Sequence, residues 1–150
     1  MEFEPLVKTE FYDVPFANIC ERLQPLLVDK FTNSKKRDIL LRYLLILLQK
    51  AESVRIFVEA WIDGSFVSKK EEPNDVDIVL LYKGGIYLSS LCPSAKITYQ
   101  ELQNCKLWKE EYHCDLRLIE IHNDSLKNYY KNWFGNDKKQ RPKGIIRIIF

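Results

Sequence analysis

Nine of the ten residues from 39 to 48 are apolar, and Arg42 is the single interruption. A helix on a protein surface needs only one apolar stripe, so a helix carrying this run has to be enclosed on nearly every side. The run is also far shorter than the roughly 18 residues of a membrane span. It therefore reads as a buried helix over residues 34–52, and no membrane helix is expected. Other elements must surround it, and 150 residues supply one domain with one real core. A hydrophobic fraction of 46% beside a charged fraction of 29% excludes low complexity and wholesale disorder.

The surrounding elements can be placed from local patterns. Asp13 stands before Pro15, and Phe16, Ile19, Cys20 and Leu23 follow at helical spacing. This predicts a capped amphipathic helix that Gln24 and Pro25 end. Residues 54–62 and 75–82 are rich in β-branched and aromatic side chains, and residues 112–121 alternate more loosely. All three read as strands, as does the apolar end of the chain, 144–150. Thr98 and Glu101 form a capping box ahead of Leu102, Cys105 and Trp108. Asn123 or Asp124 caps a last helix, whose Leu126, Tyr129, Tyr130 and Trp133 read as a core stripe and whose Gly135 is a plausible residue just past its end. A polar loop, 136–143, follows. The expectation is a single α+β domain over 1–150: an N-terminal helical segment, 1–52, then a core, 53–150, with a mixed sheet and helices packed mainly on one face.

The first eight residues contain no basic n-region or long apolar h-region, so a cytoplasmic chain without a secretory signal is expected. Its four cysteines include no Cys-x-x-Cys pair, which argues for small buried thiols over zinc or disulfides. The net charge of +2 is unevenly spread, because residues 127–150 carry seven Lys or Arg against Asp137 alone. Such a basic end is a solvated surface, or a field for phosphates or an acidic partner.

The residues with chemical potential lie between these landmarks. Asp75 and Asp77 are two apart at the entrance of a strand, so alternation points both to one face while Val76, Ile78, Leu80 and Tyr82 take the other. Paired carboxylates at that spacing can grip a hard cation such as magnesium. Ten residues before Asp75, Gly64 and Ser65 follow Trp61-Ile62-Asp63. Asp-Gly between apolar runs signals a hairpin; the same residues could instead hold a phosphate with exposed N–H groups and the Ser65 hydroxyl. Both readings stay open on these residues alone. Asp115 is the third carboxylate, sharing a predicted strand face with His113 and Arg117, opposite Cys114, Leu116 and Leu118. If that strand neighbours the Asp75 strand, the three carboxylates converge on an open sheet surface. Trp61 is read as packing rather than as a base platform, and His113 and His122 are not expected to share a metal.

Gly64-Ser65, then Asp75-Val76-Asp77, then Asp115 on a later strand together resemble the motifs of the DNA polymerase β nucleotidyltransferase superfamily. The likeness spans roughly residues 54–121 and is nearest to short prokaryotic members, including minimal nucleotidyltransferases of toxin–antitoxin and defence systems. The resemblance implies that Gly64 and Ser65 bind nucleotide phosphates and that Asp75, Asp77 and Asp115 ligate two Mg²⁺ ions, or Mn²⁺. Asp115 would also help to deprotonate an acceptor hydroxyl. It implies transfer of a nucleoside monophosphate from an NTP, with ATP first, to a partner protein such as a toxin or defence effector; a nucleic acid or small molecule is the other acceptor class. The rival expectation is a catalytically silent antitoxin or immunity-type binding module. One departure is the absence of an Ala-Arg-Gly run after the Gly-Ser pair, where Lys69 and Lys70 stand as substitute cations or as a solvated loop.

Overall fold

The described residues of the chain, seen in a computed structural model, are 3–8, 10–85, 88–136 and 143–150. Five strands, β1 (Phe11–Pro15), β2 (Phe57–Asp63), β3 (Val76–Tyr82), β4 (Cys114–Glu120) and β5 (Ile145–Ile149), build one sheet in the order β1-β5-β2-β3-β4. The central strand β2 runs antiparallel to β5 and β3, whereas the outer pairs β1–β5 and β3–β4 are parallel. Five α-helices accompany it: α1 (Ile19–Gln24), α2 (Arg37–Val54), α3 (Pro93–Gln103), α4 (Cys105–Tyr112) and α5 (Asp124–Gly135). The α+β class and the mixed sheet are as expected. Among the described residues, no helix is long and apolar enough to cross a membrane.

Strand alternation divides the core in two. Ala60, Ile62, Ile78, Leu80, Leu116 and Ile146 face a large cluster with side chains from α1 to α4, in which Leu44, Leu47 and Leu48 of α2 are fully enclosed. The enclosure of α2 is nonetheless partial: Ile39, Arg42 and Ile46 recur at helical spacing on a face that stays exposed, so the helix is buried on one side and not on nearly every side as expected. The opposite face holds a smaller cluster of Trp61, Val79, Leu81, Ile119 and Ile145, covered by Phe134 and Tyr130 of α5. Trp61 is 3% exposed and lies against Phe11, as its packing role requires.

Several local expectations change in the folded chain. Asp13 is no helix cap; it sits in β1 in register with Arg147 of β5, so the N-terminal segment supplies an edge strand as well as helices. The partner strand comes from the other end of the chain, beyond any local pattern. Pro25 does not stop the first helical stretch, which widens into a π-type turn over Pro25–Asp29. A wider turn accommodates a residue without an N–H donor. Thr98 lies inside α3 and donates its hydroxyl to the Ser94 carbonyl, because α3 already starts at Pro93. The chain breaks instead at Asn104, whose side chain accepts the Leu107 N–H and starts α4. His113 is a left-handed residue closing α4, and β4 begins only at Cys114. Val54 belongs to α2, so the second strand starts at Phe57.

The stripe on α5 is core only at Tyr130, which packs on the smaller cluster. Tyr129 and Trp133 are 61% and 51% exposed and Leu126 is exposed with them, while Phe134 is buried. The small sheet patch beneath α5 needs only the Tyr130 and Phe134 edge. All four cysteines are free thiols, but only Cys114 is buried; Cys20 and Cys92 are exposed and Cys105 is half-buried. Most of the expected polar loop, 137–142, lies outside the described residues.

Candidate functional site

The register of three adjacent strands brings carboxylates together. Asp63 at the end of β2 is opposite Asp77 in β3, and Asp77 is opposite Asp115 in β4. Residues directly opposite share a face, so the three form a row across the sheet on the face that α5 only partly covers. Asp75, just before β3, extends that face at the same edge, two residues from Asp77. The Asp75, Asp77 and Asp115 grouping expected from sequence is therefore present in the fold, with Asp63 as a fourth member.

Gly64 adjoins this row. After it, the chain makes a short 3-10 turn, Ser65–Val67, and β3 starts only at Val76, so the Asp-Gly pair is not the tip of a tight hairpin. Gly64 has φ +89° and ψ −167°, a region open essentially to glycine alone. A Cβ there would also collide with Asp77 Oδ2. The loop backbone thus passes directly against one of the carboxylates, with half-buried Ser65 next in the chain.

A buried cation holds the continuation of this loop. Arg37 at the start of α2 is fully enclosed, and its guanidinium donates to the carbonyls of Leu27, Phe66, Ser68 and Lys70 at 2.6–3.1 Å. Its plane lies 3.6 Å from the Phe31 ring centroid. Only a planar fork of five N–H donors can serve so many carbonyls at once. Burial pulls the Arg37 pKa down to about 10, so the group stays charged at neutral pH.

The electrostatics of the row follow from crowding and enclosure. Burial, then Asp75 and Asp115, push the Asp77 carboxyl up to about 6, against the pull of Lys143 and Arg117. Burial likewise raises Asp63 to about 7, although Lys143 Nζ lies 2.9 Å from Asp63 Oδ2 and the Gly64 N–H also bonds the carboxylate. Arg117 Nη1 donates to Asp115 Oδ1 at 2.6 Å. The donor set is therefore all oxygen and rich in like charge, which suits a hard cation such as Mg²⁺. Its side chains are not drawn into a cage: among the described residues, no three His, Cys, Asp or Glu groups are gathered closely enough to hold a metal.

Three contributors escaped the sequence reading. Asp63 was legible as a turn residue, and only the β2–β3 register places it beside Asp77. Lys143 belongs to the basic end of the chain and reaches the site through β5. Arg37 carries no local signal of its burial, which comes from carbonyls of two other segments. Lys69 and Lys70, by contrast, stay off the row: Lys69 Nζ is 2.7 Å from Glu4 Oε2 and Lys70 Nζ lies over the Phe3 ring. His113 and His122 are not part of it; His113 stacks near Tyr43.

A family described as a family of unknown function, DUF6932, matches residues 7–149. No curated protein and no solved structure matches the chain.

Proposed function

We propose that this chain, which belongs to the DUF6932 family, is a Mg²⁺-dependent nucleotidyltransferase that moves a nucleoside monophosphate from an NTP, with ATP first, to an acceptor hydroxyl. The single observation that carries the reading is the register that lines Asp77 up with Asp115 while Gly64 passes against Asp77. Asp75, Asp77 and Asp115 are the residues that would hold the cations, which when bound would neutralise the triphosphate and assist departure of pyrophosphate. At the phosphates Gly64, whose own N–H is held by Asp63, permits close approach of the backbone, and Ser65 offers its N–H and hydroxyl. In the transfer, the acceptor oxygen forms a bond to the α-phosphorus, the bond from that phosphorus to pyrophosphate breaks, and the hydroxyl proton passes to a carboxylate. Asp115 suits that last role, since Arg117 occupies its Oδ1 and leaves Oδ2 for the acceptor. The acceptor class follows the family resemblance: a hydroxyl on a partner toxin or defence effector in a prokaryotic system, with a nucleic acid or small molecule as the other class.

The test is transfer of α-labelled NTP, with Mg²⁺ or Mn²⁺, to candidate acceptors including the product of the neighbouring gene. Asp115→Ala should fold and lose transfer by about 10²–10⁴-fold if it supplies positioned proton transfer. Absence of label transfer by the wild type under every acceptor condition refutes the reading.

One observation favours a second reading, a catalytically silent antitoxin or immunity-type binding module. Leu126, Tyr129 and Trp133 leave an apolar face on α5 open to solvent, as a protein contact surface would. Equal capture of a partner by wild type and Asp115→Ala, with no transfer by either, supports that module.

A further inference from the structure

A nucleoside triphosphate brings several negative charges, and a Gly-Ser loop alone offers them only dipoles. A side-chain cation within reach of that loop would add to the charge that Mg²⁺ held by the carboxylates supplies. The nearest candidates in sequence, Lys69 and Lys70, are committed to Glu4 and to the Phe3 ring. Arg117 is committed to Asp115 on the far strand of the row. Lys143 is placed differently. Its backbone N–H donates to the Gly135 carbonyl at the end of α5, fixing it just before β5. Its ammonium reaches Asp63 Oδ2 at 2.9 Å, one residue from Gly64 and opposite Asp77.

The two groups that hold the Asp63 carboxylate are telling. One is the Gly64 N–H and the other is the Lys143 ammonium. A backbone N–H from a glycine turn and a lysine are the same pair of donors that recognise a phosphate oxygen. Asp63 is almost wholly enclosed, with its side chain 3% exposed, whereas the Lys143 side chain keeps 23% of its surface open. The carboxylate thus anchors a lysine whose side chain is still partly open to solvent.

We propose that Lys143 is a phosphate-binding residue for the β- and γ-phosphates of the nucleotide, held ready at the Gly64 turn by Asp63. This rests on the nucleotidyltransferase reading and adds to it a ligand from the end of the chain that the Gly-Ser and Asp-x-Asp motifs do not contain. A lysine suits the role as a compact charge on a flexible stem, able to leave Asp63 Oδ2 for a phosphate oxygen by rotation of the stem alone.

The experiment is isothermal titration of the full chain with ATP, inorganic triphosphate and AMP, each with Mg²⁺. Lys143→Met should weaken ATP and triphosphate binding by about ten- to a hundredfold, the worth of one contact to a charged group. AMP binding should change by less than about threefold, because AMP lacks the β- and γ-phosphates. Asp63→Asn should tighten ATP binding, since it frees the ammonium and removes a like charge beside the phosphates. Lys69→Ala should bind as wild type does. If Lys143→Met leaves Asp63 too exposed to an unpaired buried charge to fold, the Asp63→Asn, Lys143→Met double variant removes that charge and is compared with Asp63→Asn. Unchanged ATP affinity on loss of Lys143 in either background overturns the assignment while leaving the nucleotidyltransferase reading intact. Failure of the wild type to bind ATP or triphosphate with Mg²⁺ or Mn²⁺ overturns both.

Discussion

Gly64 lies so close to Asp77 that a Cβ on the glycine would run into the Asp77 carboxylate. The contact links the loop after β2 to the row of acids on β3, and it makes the absence of a side chain a requirement. Gly64→Ala should therefore lose about 1–3 kcal/mol from backbone strain alone, with more from the collision. Gly85, also at positive φ but with open space around its Cβ position, is the control. Denaturant titration should show Gly64→Ala as the more damaging of the two; equal losses would mean that the approach to Asp77 is unimportant.

The enclosed Asp77 makes the metal-free protein sensitive to pH. Its carboxyl is raised to about 6 by burial and by Asp75 and Asp115, against about 3.9 in an unfolded chain. The folded state therefore favours the protonated group: its contribution is fully present below about pH 4 and is lost as pH rises through 6. In chelator, Asp77→Asn should gain on the wild type by about 2 kcal/mol between pH 4.5 and pH 8. Parallel stability–pH curves for the two proteins would contradict this.

Arg37 is expected to be among the costliest single changes in the chain. Arg37→Met strips donors from the Leu27, Phe66, Ser68 and Lys70 carbonyls. Stability should fall by about 3 kcal/mol or more, since each buried carbonyl left unpaired costs about 1–3 kcal/mol. Arg37→Lys should recover little of it, because an ammonium cannot reproduce the fork. Thermal melts measure the loss, and hydrogen exchange should show faster opening of residues 64–70.

Asp13 and Arg147 form a two-bond ion pair across β1 and β5, with distances of 2.7 and 2.9 Å. The Arg147 guanidinium holds the Asp13 carboxyl below its ordinary value. A depressed carboxylate stabilises above its unfolded pKa, and the effect is lost as pH falls through the folded one. Asp13 is half-exposed, so solvent screening keeps the gain under about 1 kcal/mol. Asp13→Asn should be slightly less stable than the wild type at pH 7, and the difference should vanish near pH 2 in urea titrations. A difference that persists there would assign the loss to packing.

Much of the fold was legible because it rests on local physics. A run as apolar as 39–48 must bury most of its side chains wherever its helix lies, and Leu40, Leu41, Leu44, Leu47 and Leu48 are buried, although Ile39 and Ile46 stay exposed. Period-two alternation in 75–82 puts Asp75 and Asp77 on one face and Ile78 and Leu80 on the other, whichever strands flank them. The strain at Gly64 is likewise a property of one residue's dihedrals, and its Gly-Ser turn was visible as a candidate site.

Long-range pairing decided the rest. Periodicity says which way a side chain points but not which strand stands beside it. The β2–β3 and β3–β4 registers alone convert Asp63, Asp77 and Asp115 into a row. β1 exists as a strand because β5, from the far end of the chain, supplies its hydrogen-bond partner; Asp13 in isolation reads equally well as a helix cap. The same pairing carries Lys143 to Asp63. Burial, too, belongs to the assembled surfaces: α5 turns Tyr129 and Trp133 outward because Tyr130 and Phe134 take up the apolar patch beneath it, and Arg37 is enclosed because four carbonyls from two distant segments converge on it. Sequence could name those side chains and their local spacing, but their surroundings came from contacts between segments whose separation along the chain leaves no local pattern to read.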